Sequence, residues 1–244
     1  MELNKLTRVG DVVKENFKAA QIFDKNRIDF CCGGGISIEE ACKKANANAE
    51  KLIAELELVV YRNDPDSKYI DSLELDELSD YIVKRHHSYV VDNIPFLLQK
   101  LDKLCNVHGA NHPELFDIKG LFSQVAENLL AHLQKEENIL FPYIKELVNL
   151  KHGKVNGVAG LGKAAEVIAE LDEEHTGEGN RFAQIAQLSS DYNCPPDGCN
   201  TYKVTFQTLS DFEKDLHRHI HLENNILFIK AIALETEFKR RKNN

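Results

Sequence analysis

Ten residues occur twice in this chain in nearly the same order. His-Leu-Gln-Lys-Glu-Glu-Asn-Ile-Leu-Phe at 132–141 is echoed by His-Ile-His-Leu-Glu-Asn-Asn-Ile-Leu-Phe at 219–228. Both copies place a glutamate four residues after a histidine, so on a helix His132 and Glu136 share one face, as do His219 and Glu223. Each pair interrupts an apolar stripe at helical spacing. One stripe is Val125, Leu129, His132, Glu136, Leu140, Tyr143, and the other is Leu209, Phe212, Leu216, His219, Glu223, Ile226. Roughly one His-x-x-x-Glu pair is expected by chance in a chain of this size, normally on a solvated face. Two pairs inside apolar stripes are another matter, because a carboxylate buried without a partner is costly. The fold must therefore place both pairs next to something that compensates them.

Strand alternation is nowhere sustained, and the rest of the pattern is helical. Four long stretches, roughly 74–105, 114–150, 161–190 and 200–240, are separated by Gly109 to Pro113, His152 to Gly160 and Cys194 to Gly198. Long helices with short or moderate connections predict an antiparallel four-helix bundle. Before it, residues 1–62 form a small helical domain containing the loop Asp29-Phe30-Cys31-Cys32-Gly33-Gly34-Gly35. Ser37 with Glu40 has the spacing of a capping box, and a further helix is expected from about Asn46 to Val60. The polar stretch 63–73, with Pro65, is expected to be a linker, and 74–244 the bundle.

The other two long stretches also carry in-stripe histidines. The third stripe runs Ile168, Leu171, His175, Phe182, Ile185, and the first runs Val83, His87, Val91, Ile94, Leu98, Leu101. His86 would instead join Ile82, Tyr89, Asn93 and Phe96, a stripe broken by Asn93, so His87 is preferred. Pro95 should kink this helix. The inward set is then His87, His132, His175, His219, Glu136 and Glu223. Six mixed nitrogen and oxygen ligands exceed one tetrahedral zinc and suit two six-coordinate ions bridged by the glutamates. Imidazole with carboxylate favours iron or manganese.

Composition narrows the function. The 244 residues carry a net charge of −9 with both signs interspersed, which excludes a nucleic-acid surface. No run approaches the about 18 apolar residues of a membrane span, and the N-terminus lacks a signal core, so a cytoplasmic protein is expected. The six cysteines suit reduced thiols, since Cys31 and Cys32 are adjacent and a chain this size needs no disulfide staple. A homodimer through residues 1–60 would help so small a domain bury its core.

With these motifs in order, the chain resembles the hemerythrin-like di-iron proteins, and more closely the iron–sulfur cluster repair di-iron family. The resemblance rests on Asp29 to Gly34, on Val107-His108-Gly109 with His112-Pro113, and on His132-x-x-x-Glu136, Glu174-His175 and His219-x-x-x-Glu223. It also rests on Pro195-Pro196 with Cys199-Asn200-Thr201. It implies an all-α fold, a hemerythrin-like four-helix bundle preceded by a small helical domain. It implies two iron ions, joined by an oxo or hydroxo bridge. His87, His132, His175 and His219 would be terminal ligands, and Glu136 and Glu223 bridges. The implied function is repair of iron–sulfur clusters damaged by nitrosative or oxidative stress, through iron donation to the damaged proteins. Reduction of nitric oxide to nitrous oxide is an alternative. Sensing or carriage of oxygen or nitric oxide is another, although no stripe position offers the fifth histidine of true hemerythrins.

Other positions carry narrower expectations. Cys31 and Cys32 precede a helix N-terminus, where helix electrostatics would favour thiolate, and they are candidates for iron transfer or redox exchange. Cys42 and Cys105 look like core residues. Glu174 would orient an imidazole or line an iron route. His217 and His221 fall off the stripe and are expected at the surface or behind the ligands. Cys194 and Cys199 are expected to be unpaired loop thiols, with a disulfide or a metal as the alternative. Pro142 follows the first repeat and Ile229 the second, which should alter only local helix geometry.

Overall fold

The computed structural model describes residues 2–243, which are helical almost throughout and contain no strand. In chain order the helices are α1 (Val9–Glu15), α2 (Ala19–Lys25), α3 (Ile38–Ala45), α4 (Ala49–Val60), α5 (Pro65–Ser72) and α6 (Leu75–Ile82). They continue as α7 (Ser88–His108), α8 (Glu114–Lys135), α9 (Phe141–Lys151), α10 (Ala164–Leu188), α11 (Asn200–Leu222) and α12 (Phe228–Asn243). Three π-helical turns, Val83–His87, Glu136–Leu140 and Glu223–Leu227, join α6 to α7, α8 to α9 and α11 to α12 without a break. Packing divides the chain into two compact units. The first comprises residues 1–79, 143–168 and 218–244, and the second residues 80–142 and 169–217.

The second unit contains four packed helical segments. Contacts fix their directions. Along the Val83–His87 turn and α7, His86 meets Asp215, Tyr89 meets Phe212 and His108 meets Cys199, so α7 and α11 run antiparallel. His87 meets Glu137 while Cys105 meets Leu115, which makes α7 and the α8 segment antiparallel too. Phe122 with Phe182, Asn128 with Glu178 and His132 with His175 do the same for α8 and α10. This is the up-and-down arrangement that short connections favour. At its centre Phe122, Phe182 and Phe212 are fully buried, with ring centroids 5.5–6.4 Å apart. Beyond α10, Ser190, Asp191 and Tyr192 are all left-handed (φ 51°, 57° and 61°). This strained turn is held by the Asp191 N–H on the Ala186 carbonyl (2.7 Å) and the Tyr192 N–H on Ser189 Oγ (3.0 Å).

In the first unit, Ser37 caps α3 as expected, its Oγ accepting the Glu40 N–H at 3.2 Å. The next helix starts later than the pattern suggests. Asn46 is left-handed (φ 52°) and ends α3, and Asn48 caps α4 through the Lys51 N–H at 2.8 Å. The stretch 63–73 also differs from the expected linker, because α5 occupies most of it. Pro65 starts the helix, a position where a missing N–H costs nothing. Asp64, Ser67 and Ile70 are buried. Ser67 donates to Asp64 Oδ2 (2.8 Å) and accepts the Phe17 N–H (3.1 Å), while Asn16 donates to the carbonyls of Val59 and Arg62 (3.0 and 3.1 Å). Polar composition here marks side chains used for tying helices together, not an exposed tether.

The aromatic cluster gives a direct test. Phe122→Ala should lower the unfolding free energy by about 3–5 kcal/mol, the usual cost of truncating a buried aromatic. Urea denaturation in the presence of a chelator, so that bound metal does not mask the loss, measures it.

Candidate metal centre

The three π turns decide which side chains point inward. A π turn bonds i to i+5 and so takes up one more residue than the α-helix allows, which shifts every later position around the axis. The Ser88, Phe141 and Phe228 N–H groups each reach back five residues, to the carbonyls of Val83, Glu136 and Glu223. In the first helix the shift explains why Val90 and Leu97 are buried while Val91 is exposed and Leu98 half-buried, against the simple stripe. It also buries both His86 and His87, so the two are not alternatives. In the second, Ile144 replaces Tyr143 on the inner face. Asn138 of the repeat donates to the Gln134 carbonyl, one turn back on the same helix, at 2.8 Å. Both repeats make the same turn, so Pro142, absent from the second copy, is not its cause.

Within the second unit, His87, His132, Glu136 and His175 converge. All four are buried, and Glu136 is fully so. His87 Nε2 lies 3.3 Å and His132 Nε2 3.4 Å from Glu136 Oε2, and His175 Nε2 lies 3.0 Å from His132 Nε2. The ligand atoms of His132, Glu136 and His175 all fall within 4.8 Å of one another. The outer ring nitrogens are engaged: His87 Nδ1 with Glu137 Oε1 and His132 Nδ1 with Glu174 Oε2, both at 2.8 Å. A carboxylate can only accept, so each Nδ1 carries the proton, and in the neutral ring Nε2 presents a lone pair inward. Lone pairs facing a carboxylate and each other are repulsive unless a cation lies between them. A first-row ion held at about 2.0–2.2 Å puts adjacent ligand atoms about 3 Å apart, which matches these spacings. The donor set therefore fits a metal.

In the first unit, His219 and Glu223 are fully buried with Nε2 and Oε1 2.8 Å apart, the same pairing as in the first repeat. Here the asparagine of the repeat serves another purpose. Asn225 Nδ2 donates to the carbonyls of Cys31 (3.0 Å) and Phe30 (3.4 Å). Gly10 and Gly34 make room for it, since a Cβ on either would come within 2.6 Å of Asn225 Oδ1. His221, expected at the surface or behind the ligands, is instead fully buried against the rings of Phe17 and Phe30, and burial pushes its pKa down to about 3. The Arg218 guanidinium lies over the Phe17 ring, 4.5 Å from its centroid. The cysteine loop is thus pinned to the turn that begins with Glu223.

That loop is organised by Asp29. Its Oδ1 accepts the Cys31 and Cys32 N–H groups (2.9 and 3.0 Å) and its Oδ2 the Gly33 N–H (2.8 Å). Cys31 Sγ lies 3.2 Å from Asp29 Oδ1 and 3.8 Å from Cys32 Sγ. For Cys31 the expected thiolate character is corrected by this geometry. Hydrogen bonding to Cys32, burial and the Asp29 charge push the Cys31 thiol well above its usual range. Both sulfurs are free thiols, and with Asp29 they form a compact group of ligand-type atoms. Cys42 and Cys105 are buried, as expected.

Several further residues support the histidines, only Glu174 among them marked in the sequence. Glu174 reaches His132 rather than its neighbour His175. Burial opposes its charge, but Lys135 and His132 together hold its carboxyl below the usual range. Glu137 and Asp215, the latter on His86 Nδ1 at 3.0 Å, look like ordinary surface acids in sequence. Glu178, one turn beyond His175, is buried, and burial raises its pKa although Asn128 and Arg181 both donate to Oε1 (2.9 and 2.8 Å). Its spacing from His175 is the one signal that could have found it. His217 is half-buried.

Comparison with known proteins agrees with this geometry. Residues 78–231 match the hemerythrin HHE cation binding domain, and residues 5–60 match a domain of unknown function, DUF542. The iron-sulfur cluster repair protein ScdA of Staphylococcus haemolyticus is 32% identical over 91% of this chain and 96% of its own length. ScdA of Staphylococcus epidermidis is 31% identical over 91% and 96%. The iron-sulfur cluster repair protein YtfE of Yersinia pestis is 30% identical over 89% and 93%. The chain therefore belongs to the iron–sulfur cluster repair family built on a hemerythrin HHE cation binding domain.

Proposed function

We propose that this protein repairs iron–sulfur clusters damaged by nitrosative or oxidative stress, and that it does so by giving up iron. His87, His132, His175 and His219 would be ligands of two iron ions, with Glu136 and Glu223 as carboxylate ligands that offset the ionic charge. Bound iron would supply the cargo for repair, and open positions on it would admit small diatomic ligands such as nitric oxide. The rest belongs to the chain. Glu137 and Glu174 fix the tautomers of His87 and His132 by accepting their Nδ1 protons, which keeps Nε2 directed inward. Burial of Glu136 and Glu223 excludes water from the carboxylates and couples metal occupancy to the fold.

The observation that carries the reading is the tie between the cysteine loop and the Glu223 turn. Asn225 holds the carbonyls of Phe30 and Cys31 two residues after Glu223. A displacement of that turn is felt at Asp29, Cys31 and Cys32, which we assign to iron transfer. A simple oxygen or nitric oxide carrier has no use for this connection, and the names of the relatives favour repair over nitric oxide reduction. Damaged iron–sulfur proteins are the proposed partners. The cytoplasm is the proposed site of action, supported by six free thiols. No described helix is long and apolar enough to cross a membrane.

Three measurements test this. The purified protein should contain two irons per chain with the Mössbauer signature of a coupled pair, and Glu223→Leu should fall well below two with helical content unchanged by circular dichroism. Zinc, or one ion per chain in the native protein, sinks the assignment. Iron should pass to an apo-ferredoxin under reducing conditions; retention beside the apo-client rules out donation. Asn225→Ala should accelerate amide hydrogen exchange across residues 29–34 and slow iron transfer while iron content stays at the native level.

A further inference from the structure

Two sequence motifs that the metal centre does not use meet in the second unit. His108, at the end of α7, and His112, just beyond it, face the loop before α11. His108 Nε2 lies 3.3 Å from Cys199 Sγ, and His112 Nε2 lies 3.0 Å from Asp197 Oδ1 while its Nδ1 lies 3.0 Å from Glu114 Oε1. Tyr202, fully buried, presents its ring to both imidazoles, at 5.5 and 5.7 Å between centroids. Cys199 is exposed and stands immediately before α11. The Tyr202 N–H, the His108 ring and the Thr201 N–H lower its thiol to about 7. The contrast with Cys31, raised and buried, is direct.

A second thiol, Cys194, lies against Gly198, the residue before Cys199. The turn from Pro195 to Gly198, closed by the Gly198 N–H on the Pro195 carbonyl at 2.9 Å, folds Cys194 back. Its sulfur fills the space that a side chain at 198 would occupy, 2.5 Å from where a Cβ would stand, so only glycine fits there. A nucleophilic sulfur, an imidazole beside it and a neighbouring thiol are the parts of a dithiol exchange site. The histidine of the second pair is already committed. His112 is held between Asp197 and Glu114, which raise its pKa, so it anchors the loop and leaves His108 to serve Cys199.

We propose that Cys199 is a site of thiol–disulfide exchange that reacts with low-molecular-weight disulfides, and that Cys194 resolves the product. The Cys199 thiolate attacks one sulfur of RS–SR. A Cys199–SR bond forms, the S–S bond breaks, and RS⁻ leaves to take up a proton. Cys194, losing its own proton, then attacks Cys199 Sγ and expels the second RS⁻. The two protein thiols give up two electrons and two protons, and the small disulfide becomes two thiols. The substrate is a small disulfide because Cys199 is open to solvent, and because attack on disulfides is most efficient when the thiol pKa lies near ambient pH.

Oxidised glutathione is the probe, with peptide mapping by mass spectrometry as the readout. Against a model cysteine peptide of ordinary pKa, the gain in thiolate fraction outweighs the loss of intrinsic nucleophilicity. Cys199 should therefore react about threefold faster at pH 7 and about sixfold faster at pH 6. Its rate should be half-maximal near pH 7. The native protein should end with a Cys194–Cys199 disulfide, and Cys194→Ser should stop at a glutathione adduct on Cys199. His108→Gln should move the rate midpoint upward. A native midpoint near that of an ordinary exposed thiol, or first modification at Cys32 or Cys194, overturns the proposal without recourse to any variant. An unmoved midpoint in folded His108→Gln removes His108 from it.

Discussion

Two glutamates at the bottom of apolar stripes set the terms for the rest of this structure. Glu136 and Glu223 are fully buried, and each faces a histidine one helical turn away. A charge removed from water must be compensated or the fold gives up several kcal/mol for it. The surrounding architecture answers that demand. Histidines bring lone pairs to the carboxylates, and outer carboxylates hold those histidines in the tautomer that a cation needs. A metal ion would compensate the inner charges, and its affinity would then be part of the folding free energy.

The π turns are the backbone side of the same answer. His86 and His87 both lie in the Val83–His87 turn and both are buried, one on Asp215 and the other on Glu137. The two repeats use their shared asparagine differently. Asn138 donates back to the Gln134 carbonyl of its own helix, whereas Asn225 leaves its helix to grip the cysteine loop. Identical sequence has diverged in use because the surroundings of the two copies differ. It is in the second copy that the repeat acquires a connection to Cys31 and Cys32.

Thiol chemistry divides along similar lines. Cys31 is buried against another sulfur and a carboxylate, which favours a protonated sulfur. Cys199 is exposed to solvent beside backbone N–H groups and an imidazole, which favours thiolate. The adjacency of Cys31 to a helix start suggests the opposite for the first pair. Local hydrogen bonding with Asp29 and Cys32 outweighs the field of a helix end, because those contacts are closer and less screened.

The repeated motif and the stripe spacing make the all-α class, the four long helices and the inward set of His87, His132, Glu136, His175, His219 and Glu223 legible from sequence. Periodicity exposes such residues because a charged or polar group set in an apolar stripe cannot be left uncompensated. It does not show the π turns, since one inserted residue per turn leaves no mark on composition and shifts the stripe only beyond it. That is why the regular stripe selects Val91 and Tyr143 where the folded chain buries Val90 and Ile144. Nor does it show α5 beneath a polar stretch, His221 buried against Phe17 and Phe30, or Glu137, Asp215 and Glu178 behind the histidines. Those roles arise from contacts between residues far apart in the chain, which no local pattern encodes. Sequence named the residues that must be compensated, and tertiary structure chose their partners, because hydrogen bonds and burial are properties of neighbours in space.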